Sequence, residues 1–423
     1  MSGKNNKVMI VEVHSRGSGN YPRYDILRRH GYDVYYLTTS EKIDPYDFAG
    51  IRQVPSKLLN DLRDEAAAWH GVVHFDAVMT TDEASVIATA SIAEALKLPG
   101  LGLKAAQNSR NKWFMRLAHE AGGAPHPQFV RCDTLNEALA AGEKIGYPVI
   151  LKPTLGALAQ HVYKVSGPEQ MKERFNPAME GSKSHSFSRF EASSDDIGPC
   201  TLLVEEFLDG TEHAVEAVID GEVLHLGAIA DRLSIDSDTF DNDLYKMPTS
   251  LSAEQIDLVH ETVRLGAVSQ GIRLGVLHAE VRFHQGKPYI LEIAARPGGG
   301  SIQYTSKASY AYCPMTAALT VAEGRSVDVP PLRPTGEISI ALTMLCDEGH
   351  VKRLSIPAGI RSMPGVINFQ IVPKPGGTVY RPPLGNDVLG FLGTKGETLN
   401  DALALADKIF KSLEIELTPL EHA

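Results

Sequence analysis

The sequence predicts a chain of mixed class, with a parallel α/β domain at its N-terminus and α+β structure in the remainder. Strand and helix patterns alternate over the first hundred residues, which is typical of a small parallel sheet covered by helices. Farther along, strand patterns follow one another across short turns, which favours hairpins. A length of 423 residues leaves room for about three domains if each takes roughly 150 residues.

The composition is that of an ordinary globular protein, with 43% hydrophobic and 22% charged residues. A net charge of -11 argues against a nucleic-acid surface, because neutralising phosphates requires clustered lysine and arginine. No apolar run is long enough for a signal sequence or a membrane span. The four cysteines lie far apart without metal-type spacing, which fits a reducing compartment. We therefore expect a cytoplasmic protein that binds neither nucleic acid nor a membrane.

Residues 1–103 form the first predicted domain. Its clearest elements are the strands Lys7–Val13, Tyr32–Leu37 and Ala77–Thr80 and the helix Ser85–Leu96. The loop Ser15–Asn20 contains the GxG part of a dinucleotide-binding motif. It lacks the third glycine, and no acidic residue closes a clear second strand in the expected place. A dinucleotide-dependent oxidoreductase is therefore the less favoured interpretation.

Residues 104–208 and 209–423 form the second and third predicted domains. The second is predicted to contain the helix Asn111–Ala121, the strands Gln128–Arg131, Val149–Leu151 and Thr201–Phe207, and a mobile Ser-rich loop over Gly181–Ser194. The third is predicted to contain the strands Ala214–Ile219 and Val223–Ile229 and the helices Ala253–Gln270 and Thr398–Leu413.

The most informative pattern is a pair of alternating strands, Gly275–Phe283 and Pro288–Arg296. The predicted apolar face carries Leu277, Ala279, Val281 and Phe283 from the first strand, and Tyr289, Leu291 and Ile293 from the second. A three-residue loop, Gln285–Lys287, then sets Glu280 directly opposite Glu292.

Two carboxylates directly opposite each other repel, since their Cβ atoms lie about 5 Å apart. A divalent cation between Glu280 and Glu292 would remove that repulsion, and oxygen ligands suit Mg²⁺, or Mn²⁺ in its place. The alternative is two solvated surface glutamates, or one glutamate paired with Arg282. The arginine and glycines of Arg296–Gly300 favour the metal site, because a guanidinium beside exposed backbone N–H groups suits phosphoryl oxygens.

Two lysines and one strand edge complete the set. Lys152 closes an apolar strand, which is costly unless its ammonium group reaches an anion. Lys112 lies in the first turn of a helix, where the helix dipole disfavours a cation unless an anion is near. Ordinary exposed lysines are the alternative for both. The segment Val204–Glu212 runs from an apolar strand into a turn, whose backbone groups could bind an adenine ring beside Phe207 and Leu208.

Taken together and in this order, these segments resemble the ATP-grasp superfamily over about residues 7–415. The matching pieces are Asn111-Lys112, Ile150–Pro153, Val204–Glu212, the Glu280/Glu292 hairpin and Ala295–Gly300. The resemblance implies a Rossmann-like N-terminal domain, a small lid domain and a C-terminal domain, with ATP between the last two. It also implies an enzyme that joins a carboxylate to an amine through an acyl phosphate and releases ADP and phosphate.

The resemblance also implies a role for each residue. Those implied to bind ATP are Lys112 and Lys152 at the phosphates, Glu205, Glu206, Phe207 and Leu208 around the adenine, and Glu212 at the ribose. Those implied to bind Mg²⁺ are Glu280 and Glu292, and those implied to act in catalysis are Arg296 and Lys152. Those expected nearest to the substrate are His278, Gly298, Gly299 and Gly300. For His278, a packed structural histidine is the favoured alternative.

One departure from the family pattern bears on the substrate. Relatives usually carry Asn two residues after the second glutamate as a further metal ligand, and here that position is Ala294. This gap is similar to the L-amino-acid ligase (bacilysin-type dipeptide synthetase) group and favours amino acids as substrates. A purine- or cofactor-pathway ligase, or a biotin-carboxylase-like enzyme that uses bicarbonate, is the alternative, and a homodimer is left open.

Overall fold

The computed structural model describes residues 6–13, 19–156, 159–183, 197–233, 243–380 and 387–420. Within these ranges no helix is both long and apolar enough to cross a membrane. Most of the glycine-containing loop predicted at 15–20 lies outside the described residues, as does the predicted Ser-rich loop from residue 184 onward.

The N-terminal region alternates strands and helices as predicted, and its strands pair in parallel. Its elements are β1 (Asn6–Glu12), α1 (Tyr21–Arg29), β2 (Tyr32–Thr38), β3 (Gly50–Gln53), α2 (Leu59–Val73), β4 (Ala77–Met79) and α3 (Val86–Leu96). The strand order is β3-β2-β1-β4. In β1, Val8 to Val11 are fully buried, because helices cover both faces of such a sheet. The carboxyl ends of β1 and β4 adjoin each other, at the edge where parallel sheets commonly bind ligands.

Two helices, α4 (Leu103–Arg110) and α5 (Lys112–Gly122), lead into a second, antiparallel sheet. Asn111 caps α5 by accepting a hydrogen bond from the backbone N–H of Trp113. The second region contains β5 (Phe129–Cys132), α6 (Leu135–Ile145), β6 (Val149–Pro153), β7 (Tyr163–Val165), α7 (Pro168–Lys183) and β8 (Leu202–Glu206). Its strand order is β5-β8-β6-β7.

Two predictions for this region need correction. The helix α7 continues to Lys183, so the predicted loop does not begin at Gly181. The helix persists because its apolar side, with Met171 and Phe175, is buried against the sheet. Lys152 lies within β6, where its backbone pairs with β8, instead of ending the strand.

The third region is built on an eight-stranded sheet, with a small three-stranded sheet in addition. Its elements are β9 (Glu212–Asp220), β10 (Val223–Arg232), β11 (Leu244–Met247), α8 (Ala253–Ser269), β12 (Leu274–His284), β13 (Lys287–Ala294), α9 (Ile302–Tyr310), α10 (Pro314–Ala322), β14 (Ile338–Met344), β15 (Gly349–Ser355), β16 (Val366–Ile371), β17 (Thr378–Val379), β18 (Gly390–Gly396), α11 (Leu399–Lys411) and β19 (Glu414–Thr418). The strand orders are β13-β12-β9-β10-β11-β14-β18-β16 and β17-β15-β19. The domain boundaries at 103 and 208 stay a prediction.

The hairpin of β12 and β13 keeps the predicted pairing of Glu280 with Glu292, but its turn differs. Gln285 and Gly286 form a two-residue turn, so the predicted three-residue loop is wrong. Both residues have positive φ, 48° and 77°, as a type I′ turn requires, and glycine suits the second position. A β-bulge in β13 restores the register, and Leu291 is its extra residue.

The bulge also changes which side chains of β13 face the core. Ile290 and Ile293 are fully buried, whereas Tyr289 and Leu291 are partly exposed. The predicted apolar face of this strand therefore holds only for Ile293, because a slip of one residue turns each side chain to the other face. In β12 the predicted face is confirmed, with Leu277, Ala279, Val281 and Phe283 all buried.

Candidate active site

One face of the large sheet carries charged side chains from four neighbouring strands. They are His278, Glu280 and Arg282 of β12, Glu212 and Glu216 of β9, Arg232 of β10 and Glu292 of β13. The register of β12 and β9 sets His278 opposite Glu216 and Arg282 opposite Glu212. Glu280, between them, lies opposite Ala214, whose small side chain leaves space above the sheet.

Glu280 and Glu292 face each other across the hairpin. Burial, followed by the charges of Glu212 and Glu292, raises the pKa of Glu280 to about 7. Burial acts in the same direction on Glu292, but Lys112 and Lys152 outweigh it and hold the pKa of Glu292 at about 2. Among the residues that the structure describes, no donor hydrogen-bonds to the Glu280 carboxylate. In this pair the charge of Glu292 is therefore balanced by lysine, whereas the carboxylate of Glu280 has no hydrogen-bond donor among the described residues.

These two carboxylates suit a hard divalent cation that takes its other ligands from phosphate and water. In the described ranges, no three His, Cys, Asp or Glu side chains come together as a ready-made metal site. Ala294 is buried beside Glu292 and adds no ligand. The donor set therefore fits a cation bound together with a phosphate-bearing ligand better than a structural metal, which needs more protein ligands.

Lys112 and Lys152 lie beside these carboxylates. Nζ of Lys112 is 3.1 Å from Oε2 of Glu292, and Nζ of Lys152 is 2.7 Å from Oε2 of Glu205. Both lysines are more than nine-tenths buried. A buried ammonium group needs an anionic partner, as the sequence pattern predicts, and each of these lysines has a carboxylate of the chain.

A third cation, Arg116, joins this group and is not apparent from the motifs. It is fully buried, and its Nε and Nη2 donate to Oε1 and Oε2 of Glu205 at 2.8 and 3.1 Å. Nη2 also donates to the carbonyl oxygen of Leu291 at 2.7 Å. The signal that could have revealed it is its place one turn after Lys112, on the same face of α5.

The end of β8 and the turn after it hold the residues predicted to surround adenine. The backbone N–H of Glu206 donates a hydrogen bond to the carbonyl oxygen of Gln128, the residue just before β5, at 2.9 Å. The carbonyl oxygen of Leu208 accepts a hydrogen bond from Arg282 at 3.0 Å. The ring of Phe207 lies 4.3 Å from Nζ of Lys164. An apolar ring and several fixed backbone groups therefore lie together here.

Glu212, predicted to bind the ribose, is held by two arginines. Its carboxylate accepts hydrogen bonds from Arg282 and, at 2.9 Å, from Arg232. It is 2% exposed, and the side chains of both arginines are more than nine-tenths buried. These ion pairs account for the burial of Glu212 without a ligand, and its role at the ribose stays a prediction.

Arg296 connects the large sheet to the N-terminal region. Its Nε donates to Oε2 of Glu83 at 2.5 Å, and its Nη1 donates to the carbonyl oxygen of Pro297 at 2.9 Å. Glu83 follows β4, at the carboxyl edge of the parallel sheet. In the described part of the chain its other oxygen, Oε1, is buried without a hydrogen-bond partner. The N-terminal region therefore contributes one wall of the site.

His278 is fixed by Glu216. Nδ1 of His278 lies 2.5 Å from Oε1 of Glu216, and Oε2 accepts a hydrogen bond from the backbone N–H of Gly298 at 3.1 Å. Burial works to lower the pKa of His278, but the charge of Glu216 outweighs it and raises the pKa above its usual value. The pair supports the loop after Arg296, and a contact between His278 and substrate stays a prediction.

The three glycines after Arg296 differ in what a side chain would meet. A Cβ on Gly298 would lie 2.4 Å from Oε1 of Glu216. Gly300 has a φ of +55°, and its Cβ would lie 2.9 Å from the ring of Phe391. A Cβ on Gly299 would meet nothing within 4 Å. Only Gly299 therefore opens onto free space, although the pattern predicts such space at all three.

Glu83, Glu216 and Arg232 are further site residues that the motifs do not indicate. Glu216 could have been found from its spacing, because Glu212 and Glu216 point to the same face of one strand. Glu83 lies just after the third predicted strand, at the edge where parallel sheets place ligand-binding groups.

Comparison with known families gives two matches. Residues 145–305 match the ATP-grasp domain, and residues 342–418 match the L-amino acid ligase C-terminal domain 2. The first range contains Lys152, the carboxylate hairpin and Arg296. The matches therefore confirm the resemblance that the motifs indicate.

Two curated relatives and one solved structure support the same assignment. The alanine–anticapsin ligase of Bacillus subtilis strain 168 is 30% identical over 241 residues, which are 53% of this chain and 49% of the relative. The match thus spans about half the length of that relative. The L-arginine-specific L-amino acid ligase of Bacillus subtilis is 25% identical over 318 residues, 72% of this chain and 71% of the relative.

The solved structure is an L-amino acid ligase from Bacillus licheniformis. Its TM-score is 0.79 at 22% sequence identity, and the alignment covers 98% of this chain and 100% of that chain. At this identity the similarity concerns the fold, and the predicted ATP-grasp fold is confirmed.

Proposed function

This chain belongs to the ATP-grasp ligases, and on that premise we propose that it joins the carboxylate of one amino acid to the amine of another at the expense of ATP. The opposed pair Glu280 and Glu292, beside Lys112 and Lys152, is the observation that carries the proposal. The match of residues 342–418 to an L-amino acid ligase domain favours amino acids over bicarbonate or a purine intermediate.

In this proposal the nucleotide binds between the second and third regions. Lys112 and Lys152 bind its phosphates. Each ammonium group then contacts a phosphate oxygen, either beside its carboxylate partner or in place of it. The adenine contacts Phe207 and Leu208 and the backbone around Glu205 and Glu206. Glu212 lies at the ribose, where the two arginines that hold it fix its orientation.

Glu280 and Glu292 would hold Mg²⁺, or Mn²⁺ in its place. Their oxygens match the preference of these ions, and the unpartnered carboxylate of Glu280 is the feature that fits a cation. When bound, the metal supplies neutralisation of the phosphate charge during transfer.

The proposed reaction has two successive steps. The substrate carboxylate attacks the γ-phosphorus of ATP, the bond to the β-phosphate oxygen breaks, and ADP leaves. The amine of the second substrate attacks the acyl carbon of the acyl phosphate, loses a proton, and displaces phosphate. Negative charge develops on the carbonyl oxygen, and Arg296, held by Glu83, is placed to stabilise it.

The reaction products test this function. Incubation with ATP, Mg²⁺ and pooled amino acids should yield ADP and phosphate in equal amounts, together with dipeptides seen by mass spectrometry. Single amino acids then identify the acid and the amine. Stoichiometric pyrophosphate would exclude the mechanism, and ADP release that needs bicarbonate or a phosphoribosylamine instead would favour the alternative ligases.

Gly299 gives a test of substrate position. Gly299→Leu should reduce kcat/KM for amino acids with large side chains about tenfold or more, with small substrates and ATP affected little, because the added side chain enters free space near Arg296. Gly300→Trp is the poorer choice, since positive φ and Phe391 would strain it. Gly71→Leu, in α2 with nothing within 4 Å, is the control. An equal loss for every amino acid would contradict the assignment.

A further inference from the structure

The buried cluster around Glu205 holds more positive than negative charge. Lys112 pairs with Glu292, and both Arg116 and Lys152 pair with Glu205. Three cations therefore share these two carboxylates, and in the described part of the chain Glu280, the neighbouring third carboxylate, pairs with none of them. In a buried site such a surplus is costly unless an anionic ligand takes it up.

The contacts of Arg116 indicate which cation in this cluster is available to an anionic ligand. Its guanidinium contacts both oxygens of Glu205, a two-pronged arrangement that satisfies the carboxylate more fully than one ammonium can. Nζ of Lys152 approaches Oε2 at 2.7 Å, and Nη2 of Arg116 donates to the same oxygen. Glu205 therefore keeps a two-pronged partner in Arg116 when the ammonium group of Lys152 turns to another anion.

Arg116 also contacts the hairpin that carries the metal-binding carboxylates. Its Nη2 donates to the carbonyl oxygen of Leu291, the extra residue of the bulge. Leu291 directly precedes Glu292, so the position of that carbonyl group is tied to the direction of the Glu292 side chain. One side chain thereby connects β8 of the second region to β13 of the third.

We propose that Arg116 is a positioning residue for nucleotide binding and phosphoryl transfer. By neutralising Glu205 it leaves the ammonium group of Lys152 for the phosphates, and by holding Leu291 it keeps Glu292 opposite Glu280. This inference rests on the proposed function, because both consequences concern ATP.

Binding measurements on Arg116→Met separate this role from a merely structural one. Without Arg116, Lys152 is the remaining cation on Glu205 and is drawn away from the phosphates. By calorimetry, the Kd for a non-hydrolysable ATP analogue with Mg²⁺ should rise on the order of tenfold to a hundredfold. The Kd for adenosine should stay within about threefold of wild type, since the proposed adenine contact uses the backbone near Glu205 and Arg116 contacts only its carboxylate. Arg353→Met, a largely exposed arginine of β15, is the control.

Two further variants keep the test decisive if Arg116→Met folds poorly. Arg116→Met combined with Glu205→Gln removes both buried charges and should regain most of the lost analogue affinity, because no carboxylate then captures Lys152. Arg116→Lys should also regain analogue affinity, yet keep a lowered kcat, because a single ammonium cannot hold both Glu205 and the Leu291 carbonyl group.

The outcomes are distinguishable. Analogue binding by Arg116→Met as tight as in wild type, or equal weakening for the analogue and adenosine, would overturn the role of Arg116. Failure of Glu205→Gln to restore affinity in the double variant would do so too. If the wild-type protein itself does not bind the analogue, the proposed function fails instead.

Discussion

Replacing Glu280 or Glu292 with glutamine should lower kcat by roughly two to four orders of magnitude, whereas the two replacements should change stability in opposite directions. The loss of rate follows from losing a metal-binding carboxylate, since metal neutralisation of a transferring phosphoryl group contributes several kcal/mol. The rate of ADP release with saturating substrates measures it. A variant of either residue with near wild-type kcat would show that this hairpin is not the metal site.

The stability of Glu280→Gln follows from the raised pKa of Glu280, about 7 in the folded protein against an ordinary 4.5. The folded protein keeps the proton on the Glu280 carboxyl group to a higher pH than the unfolded chain does. The favourable contribution is thus complete below about pH 4.5 and is lost as the pH rises to about 7. At pH 8 in EDTA, Glu280→Gln should unfold at a higher temperature than wild type. Its free energy of unfolding should be larger by an amount on the order of 1–2 kcal/mol.

Glu292→Gln should behave in the opposite way. The pKa of Glu292 is about 2, below its ordinary 4.5, so its contribution is present above about 4.5 and is lost only as the pH falls toward 2. At pH 8 the variant loses the ion pair with Lys112, and its unfolding temperature should fall. Glu222→Gln, in the exposed turn after β9, is the matched control. Equal shifts for both variants in EDTA would contradict these assignments.

Arg296→Lys should lower kcat about 10²- to 10³-fold while the KM for ATP changes little. Lysine keeps the charge but loses the planar fork, and it cannot hold Glu83 and the Pro297 carbonyl group while also facing a developing oxyanion. ATP affinity should persist because it depends on Lys112 and Lys152. Steady-state kinetics with ATP and amino acid varied separately provides the measurement.

The control for this prediction is Arg264→Lys, in an ion pair with Glu261 on the surface of α8. It should leave both kinetic constants close to wild type. A large rise in the KM for ATP in Arg296→Lys, with kcat preserved, would place Arg296 at the nucleotide instead of at the reacting carbonyl group.

Several features of the site depend on residues that are close together in the sequence. The alternation of β12 determines which of its residues face the core. The pairing of Glu280 with Glu292 is predicted through a three-residue loop, and a two-residue turn together with the bulge at Leu291 produces the same pairing. A nearby anion is inferred for Lys152 from its apolar strand and for Lys112 from the helix dipole, with exposed lysines as the alternative. These features depend on a period of two residues or on neighbours in the chain, and both can be read from the sequence.

The turn and the bulge of the hairpin depended on contacts that the sequence pattern does not contain. The extra residue Leu291 turns Tyr289 outward and Ile290 inward, and its carbonyl group meets Arg116, 175 positions away along the chain. The apolar residues of β13 before the bulge are compatible with two pairings to β12, the predicted one and the observed one. Tertiary contacts such as the hydrogen bond from Arg116 to the Leu291 carbonyl group therefore favour the observed register.

The sequence alone indicated the fold class, the opposed pair Glu280 and Glu292, and the lysines and arginine proposed to act beside it. Tertiary structure decided which charge pairs with which: Lys112 with Glu292, Arg116 and Lys152 with Glu205, and Arg296 with Glu83. These pairs join different regions of the chain. Their free energy depends on distance and burial after the regions pack together, and neither quantity is encoded in residue spacing.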